Sequence, residues 1–196
     1  MTITMGDEPA GIRRIAHTAL AKRLHLNLRS LRGAPKTGAP IPLYRATPDS
    51  ILHKTSRPRR TGWRVPVVGG EIEGLVNIHT AGGSARYAGI NEGVLSGRLM
   101  AAAAIAQAKL GKSRERFELR LLELPDLRFH ALWLHTRNGR DHFVPLSHEH
   151  LFEMRLLGEG LLRALIRRAS GRPKPRKRRA AIKTRSTPRT RVPSAT

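Results

Sequence analysis

The chain of 196 residues carries 37 Lys or Arg against 14 Asp or Glu, a net charge of +23, with only 4% aromatic residues. That length gives room for one domain with appendages and an independent core. With no cysteine, a disulfide framework, a thiolate zinc site and a cysteine nucleophile are all excluded.

The charge is unevenly spread. Residues 1–70 hold thirteen cations against three acids (+10), residues 71–170 fourteen against eleven (+3), and residues 171–196 ten against none (+10). A near-balanced body between two cationic arms points to phosphate-rich partners or an anionic membrane face. The longest apolar run, Leu99 to Ala106, is far short of a bilayer span. The first thirty residues have no apolar signal-peptide core, and Asp7 and Glu8 argue against a transit peptide, so a cytoplasmic location is expected.

From the N-terminus, Ile12, Ile15, Ala16, Ala19, Leu20, Leu24, Leu28 and Leu31 recur at spacings of three and four, which predicts an amphipathic helix over 8–32. Asp7 suits its start, and Arg29, Arg32 and Gly33 suit its end. The opposite face carries Arg13, Arg14, His17, Lys22, Arg23 and His25. Next, five prolines (Pro35, Pro40, Pro42, Pro48, Pro58) interrupt periodicity, which predicts an extended linker over 34–61.

A core is expected from Gly62. Trp63–Val68 and Glu71–His79 read as two antiparallel strands around Gly69-Gly70, and Pro66 predicts that the first is an edge strand or carries a bulge. Thr80–Gly93, with four glycines, reads as a loop leading into a helix over 94–110 that Gly111 ends. Phe117–Leu124 alternates as a half-buried strand. Asn138-Gly139 predicts a two-residue type I′ turn between Phe129–Thr136 and Asp141–Leu146. Counting outward from that turn sets Thr136 against Asp141, His135 against His142, Leu134 against Phe143 and Trp133 against Val144.

Ser147 could cap a short turn, and Glu159–Ala169 reads as a helix with Leu161, Leu162, Leu165 and Ile166 on one face. The expected fold is therefore α+β: an antiparallel ββαβββ sheet with one long helix packed on a face, an N-terminal amphipathic helix and a C-terminal helix. By element order alone this is compatible with helix-grip arrangements of the cystatin kind. The organisation expected is a basic helix over 1–33, a proline-rich linker over 34–61, a core with its C-terminal helix over 62–169, and a disordered polybasic tail over 170–196.

Few residues point to chemistry. Five of nine histidines fall between His130 and His150, and a cross-strand pair of His135 and His142, with Asp141 or His148-Glu149-His150 nearby, could supply metal ligands. The spacing matches no metal motif, so exposed hairpin histidines are the expectation and no metal or other cofactor is assigned. The glycine-rich stretch 81–93 lacks the order of a P-loop or a dinucleotide fingerprint, leaving Arg86 and Tyr87 as weak ligand contacts. Glu71, Glu73, Glu118 and Glu123 fall on strand positions expected to face solvent, and neither Ser84 nor Ser96 has an adjacent base in sequence. No catalytic residue is assigned.

Candidate nucleic-acid contacts are Arg172, Lys174, Arg176, Lys177, Arg178, Arg179, Lys183 and Arg185. No aromatic residue interleaves them, so phosphate-driven, salt-sensitive and sequence-tolerant binding is expected. Ala131-Leu-Trp-Leu134, with Gly139, Asp141 and Val144-Pro-Leu146, resembles a pattern seen in uncharacterised bacterial proteins, and the resemblance implies no activity. The leading expectation is a bacterial-type accessory or interaction protein, non-enzymatic, whose basic arms bind DNA or RNA backbone. One alternative is a protein–protein module using an edge strand near Trp63, with tails that only solubilise. The other is a small-ligand or metal-dependent enzyme with a pocket between sheet and helix that includes His135, His142 and Arg86.

Overall fold

The computed structural model describes residues 2–5, 9, 11–23, 36–69, 74–137, 139–146 and 153–171. Their strands are β1 (Thr2–Met5), β2 (Lys36–Thr37), β3 (Ile41–Arg45), β4 (Arg59–Val68), β5 (Gly74–Ala81), β6 (Ser84–Glu92), β7 (Arg116–Leu124), β8 (Phe129–His135), β9 (His142–Pro145) and β10 (Leu157–Gly158). The helices are α1 (Ile12–Arg23), α2 (Pro48–His53), α3 (Val94–Leu110) and α4 (Glu159–Ser170).

All ten strands join one sheet in the order β10-β9-β8-β7-β3-β4-β5-β6, with β1 on β7 and β2 on β4. It is a mixed sheet. The β3–β7 and β1–β7 pairings are parallel, so the antiparallel ββαβββ arrangement does not hold. What overturned it lies in the stretch read as a linker. β3 inserts between β4 and β7 and joins two hairpin units that the sequence alone leaves side by side.

The prolines of that stretch sit where a missing donor does little harm. Pro42 comes one residue before the pairing with β7 begins at Leu43. Pro48 occupies the first turn of α2, behind a capping box in which Thr47 Oγ1 accepts from the Ser50 N–H and Ser50 Oγ accepts from the Thr47 N–H. Pro66 shows the same logic on β4, because its position falls between the segments paired with β3 and with β2. β4 is an interior strand and not the edge expected near Trp63, while the alternative of a bulge is met at Thr61, which the register against β3 skips between Gly62 and Arg60. The long outer edge among the described residues belongs to β6.

The loop expected over 80–93 is largely strand. Gly82 and Gly83, with φ of +56° and +80°, make a two-residue turn between the paired Ala81 and Ser84. Gly89 (φ +143°) lies where the register of β6 against β5 shifts by a residue, so these glycines punctuate a hairpin.

Helices cover both faces. On one, the Leu99, Ala102 and Ala106 stripe of α3 packs on Ile41, Leu43, Leu75, Leu119, Leu121 and Leu134. On the other, Ile12, Ala16 and Leu20 of α1 bury Trp63, Val65, Val76 and Ile78, while Leu162 and Ile166 of α4 bury Leu122, Trp133 and Phe143. Each fully buried side chain of this size contributes roughly 1.5–3 kcal/mol. α3 and α4 have the bounds expected to within a residue, whereas Leu24, Leu28, Leu31 and Gly33 of the first helix lie outside the described residues.

The final hairpin differs by one position. Leu134 pairs with His142, Trp133 with Phe143 and Leu132 with Val144. A one-residue slip exchanges faces. His142 joins the α3 side, edge-on to the Phe117 ring at 5.9 Å, while His135 lies on the α4 side with Trp133 and Phe143. The cause is Asp141, which satisfies the Thr136 N–H with its side chain at 3.0 Å, while Thr136 Oγ1 accepts from the Gly139 N–H at 3.1 Å. Asn138 of the expected turn lies outside the described residues, and these side-chain bonds tie the positions on either side of it.

Candidate nucleic-acid interface

The α4 side of the sheet is not fully covered. Between α4, α2 and the segment after α2 lies a cleft of about 750 Å³. Its floor comes from alternate residues of neighbouring strands: Tyr44 of β3, Arg120 and Leu122 of β7, Trp133 and His135 of β8, and Phe143 of β9. Period-two geometry puts these on one face, and register brings Arg120 opposite Trp133. Lys54, Arg57 and Pro58 form one wall, and Glu159, Leu162 and Arg163 the other.

The aromatic side chains here form a connected set. Trp133 stacks on Phe143, with centroids 5.9 Å apart at 18°, and Tyr44 meets Trp133 edge-on at 5.4 Å. The Arg120 guanidinium lies 4.7 Å from the Tyr44 ring centroid and 4.9 Å from that of Trp133. Its Nη2 donates to Glu118 at 2.6 Å. This is a guanidinium fixed in place by two π faces and one carboxylate.

Asp141 organises the mouth of the cleft. Its carboxylate accepts from Trp133 Nε1–H at 2.9 Å and faces His135 Nδ1 at 3.0 Å, besides holding the Thr136 N–H. Next to the carboxylate Nδ1 carries a proton, so in the neutral ring Nε2 of His135 is the acceptor. The His135 side chain retains about a quarter of its exposure, 27%.

Five cations line the cleft (Lys54, Arg57, Arg120, Arg137, Arg163) against two acids, Asp141 and Glu159. Glu159 bridges two of them, with Arg163 Nη2 at 2.7 Å and Lys54 Nζ at 3.6 Å. Arg57 and Arg137 have no carboxylate partner among the described residues. The surplus positive charge over an apolar floor suits an anion with a flat organic part.

A second ionic group lies on the α3 side. Glu123 contacts Arg45 Nη2 at 2.9 Å and His130 Nε2 at 3.5 Å. The His130 ring, and after it the Arg45 guanidinium, hold the Glu123 carboxyl at about 2, against its ordinary 4.5 and against the opposing effect of burial. Burial also lowers the pKa of the nearby Arg64. Glu118 and Glu123 are thus ion-paired rather than simply solvent-facing.

The residues singled out from sequence scatter. Arg172, Lys174, Arg176, Lys177, Arg178, Arg179, Lys183 and Arg185 lie outside the described residues, as do Ser147, Glu71, Glu73 and His148-Glu149-His150. His135 lines the cleft, but His142 points to the opposite face and Arg86 sits on β6, so the pocket combining all three does not form. Among the described residues no three His, Asp, Glu or Cys side chains cluster as metal ligands. Ser96 Oγ donates to the Gly93 carbonyl at the start of α3.

Sequence reasoning missed Lys54, Arg57, Arg120 and Arg163, and it named Asp141 only as a possible metal ligand. The available signal was in 116–124, where Leu121 and Leu122 are apolar on successive positions. A strand buried on both faces follows from that, and an arginine within it needs a partner. No family model, curated protein or solved structure matches the chain. No helix among the described residues is long and apolar enough to cross a membrane.

Proposed function

We propose that this is a nucleic-acid-binding accessory protein that grips phosphate with its polybasic C-terminal segment and with the cationic cleft beside α4. The observation that carries this reading is the cleft itself, where five cations face two acids over an apolar floor. The segment 172–196 supplies ten further cations and no acid. Each phosphate neutralised releases condensed counterions, so both regions contribute to affinity with little dependence on base sequence. α1 adds exposed Arg14, Lys22 and Arg23 beside Tyr87 on the same side of the sheet.

The test is a fluorescence-anisotropy titration of a labelled oligonucleotide at fixed salt against the full chain and the R57E/R137E double variant. Both side chains are exposed, so the fold tolerates the change. Affinity falls about tenfold or more if the cleft holds phosphate, as two charge-assisted contacts are lost and two like charges introduced. Unchanged affinity would remove the cleft from the reading.

A second reading is favoured by the His135–Asp141 pair, whose geometry is that of a general base held by a carboxylate. In that reading the cleft turns over an anionic substrate. Loss of an enzymatic turnover in H135A, with binding retained, is its signature.

A further inference from the structure

Beyond phosphate, the cleft has features that backbone contact does not require. The chain contains only eight Phe, Trp or Tyr residues, and three of them, Tyr44, Trp133 and Phe143, gather on this one floor. The half-buried Ile51 and Pro58 extend the apolar surface. A site built only for phosphate would not need it.

One group that can read a base edge flanks this surface: His135, whose Nδ1 is engaged by Asp141 and whose Nε2 is left to a ligand. Arg57 and Arg137, without carboxylate partners among the described residues, stand at the polar rim. Apolar floor, a few convergent polar atoms and a cationic rim within about 750 Å³ match the dimensions of small-ligand sites.

We infer that the cleft is a nucleoside-phosphate site that takes one unstacked nucleotide, its base on the partly exposed lining around Tyr44 and Ile51 and its phosphate on Arg57 and Arg137. This rests on the reading of the protein as a nucleic-acid binder and specifies it, because a base within a duplex is paired and stacked and cannot enter. The partner is then a single strand. A free nucleotide offers the same chemistry, and the test separates the two sources.

Three labelled probes of equal length are titrated against the full chain: a single-stranded RNA, its matched duplex, and a strand of abasic sugar-phosphate. AMP, UMP and inorganic phosphate serve as competitors. At a salt concentration high enough to weaken bare backbone contacts, the single strand binds about tenfold tighter than the abasic strand, the size of one base-stacking contact. It also outcompetes the duplex. H135Q reduces the preference for the base-bearing strand, while R57E/R137E weakens all three probes.

Equal affinity for the three probes would overturn the inference and leave backbone binding intact. Absence of binding to any probe would overturn both. Competition by AMP or UMP at concentrations where phosphate is inert supports the site, and if the single strand then binds no tighter than a mononucleotide, the single-strand partner is refuted and the source is the free nucleotide.

Discussion

Replacing Asp141 by Ala removes the acceptor for two N–H donors and the partner of a histidine at once. Thr136 is 6% exposed and Trp133 7%, so water cannot readily take the place of the carboxylate at the Thr136 amide or the indole N–H. Leaving a buried donor unpaired costs about 1–3 kcal/mol. With two such donors, and partial relaxation of the loop, D141A destabilises the fold by about 2–4 kcal/mol. D141N, which keeps one acceptor oxygen, loses about half of that. Equilibrium urea unfolding followed by tryptophan fluorescence reads the change, since Trp133 lies beside the substitution and Trp63 is buried in the α1 layer. A D141A chain within 0.5 kcal/mol of the parent, at unchanged m-value, would refute the claim that this carboxylate sets the hairpin.

Other outcomes follow from the same contacts. Glu123 titrates at about 2 when folded against 4.5 ordinarily, so its stabilisation is full above pH 4.5 and is lost as pH falls toward 2. Allowing for solvent screening, E123Q removes about 2 kcal/mol at pH 7 and flattens the stability profile between pH 4.5 and 2, as acid titration of the unfolding midpoint would show. At Gly62 a Cβ would fall on the Ile78 carbonyl oxygen of the adjacent strand, so G62A costs about 3 kcal/mol or more in the same unfolding assay. Trp63 Nε1 has no hydrogen-bond partner among the described residues, whereas Trp133 Nε1 has Asp141, so W63F costs less than W133F in paired melts.

The long periodic elements were legible in the sequence. α3 and α4 announce themselves through helical spacing and terminal glycines, and β7 and β8 through alternation of large apolar residues. What stayed hidden depends on partners remote in sequence. β3 is only five residues long and carries a proline, and it is a strand because β4 and β7 flank it. The hairpin register resisted for a related reason. Counting outward from Asn138-Gly139 assumes a two-residue turn, whereas the β8–β9 pairing is offset by one residue from that count, with Asp141 bonded to the Thr136 N–H, so His135 and His142 fall on opposite faces. The cleft was illegible because it joins Arg57, Arg120 and Arg163 from three separate elements, and only Arg57 stands within an evident basic run.

The salt dependence of binding by a chain cut after Gly171 tests most directly whether the folded body itself grips phosphate. Gly171 closes α4 through its N–H to the Arg167 carbonyl, so the cut spares the helix. Most of the full chain's affinity and slope disappear with the ten tail cations, and a residual log–log slope of about −2 remains, as roughly three phosphate contacts to a single strand require. A truncated protein with no measurable binding at low salt, or with binding indifferent to salt, would contradict the account.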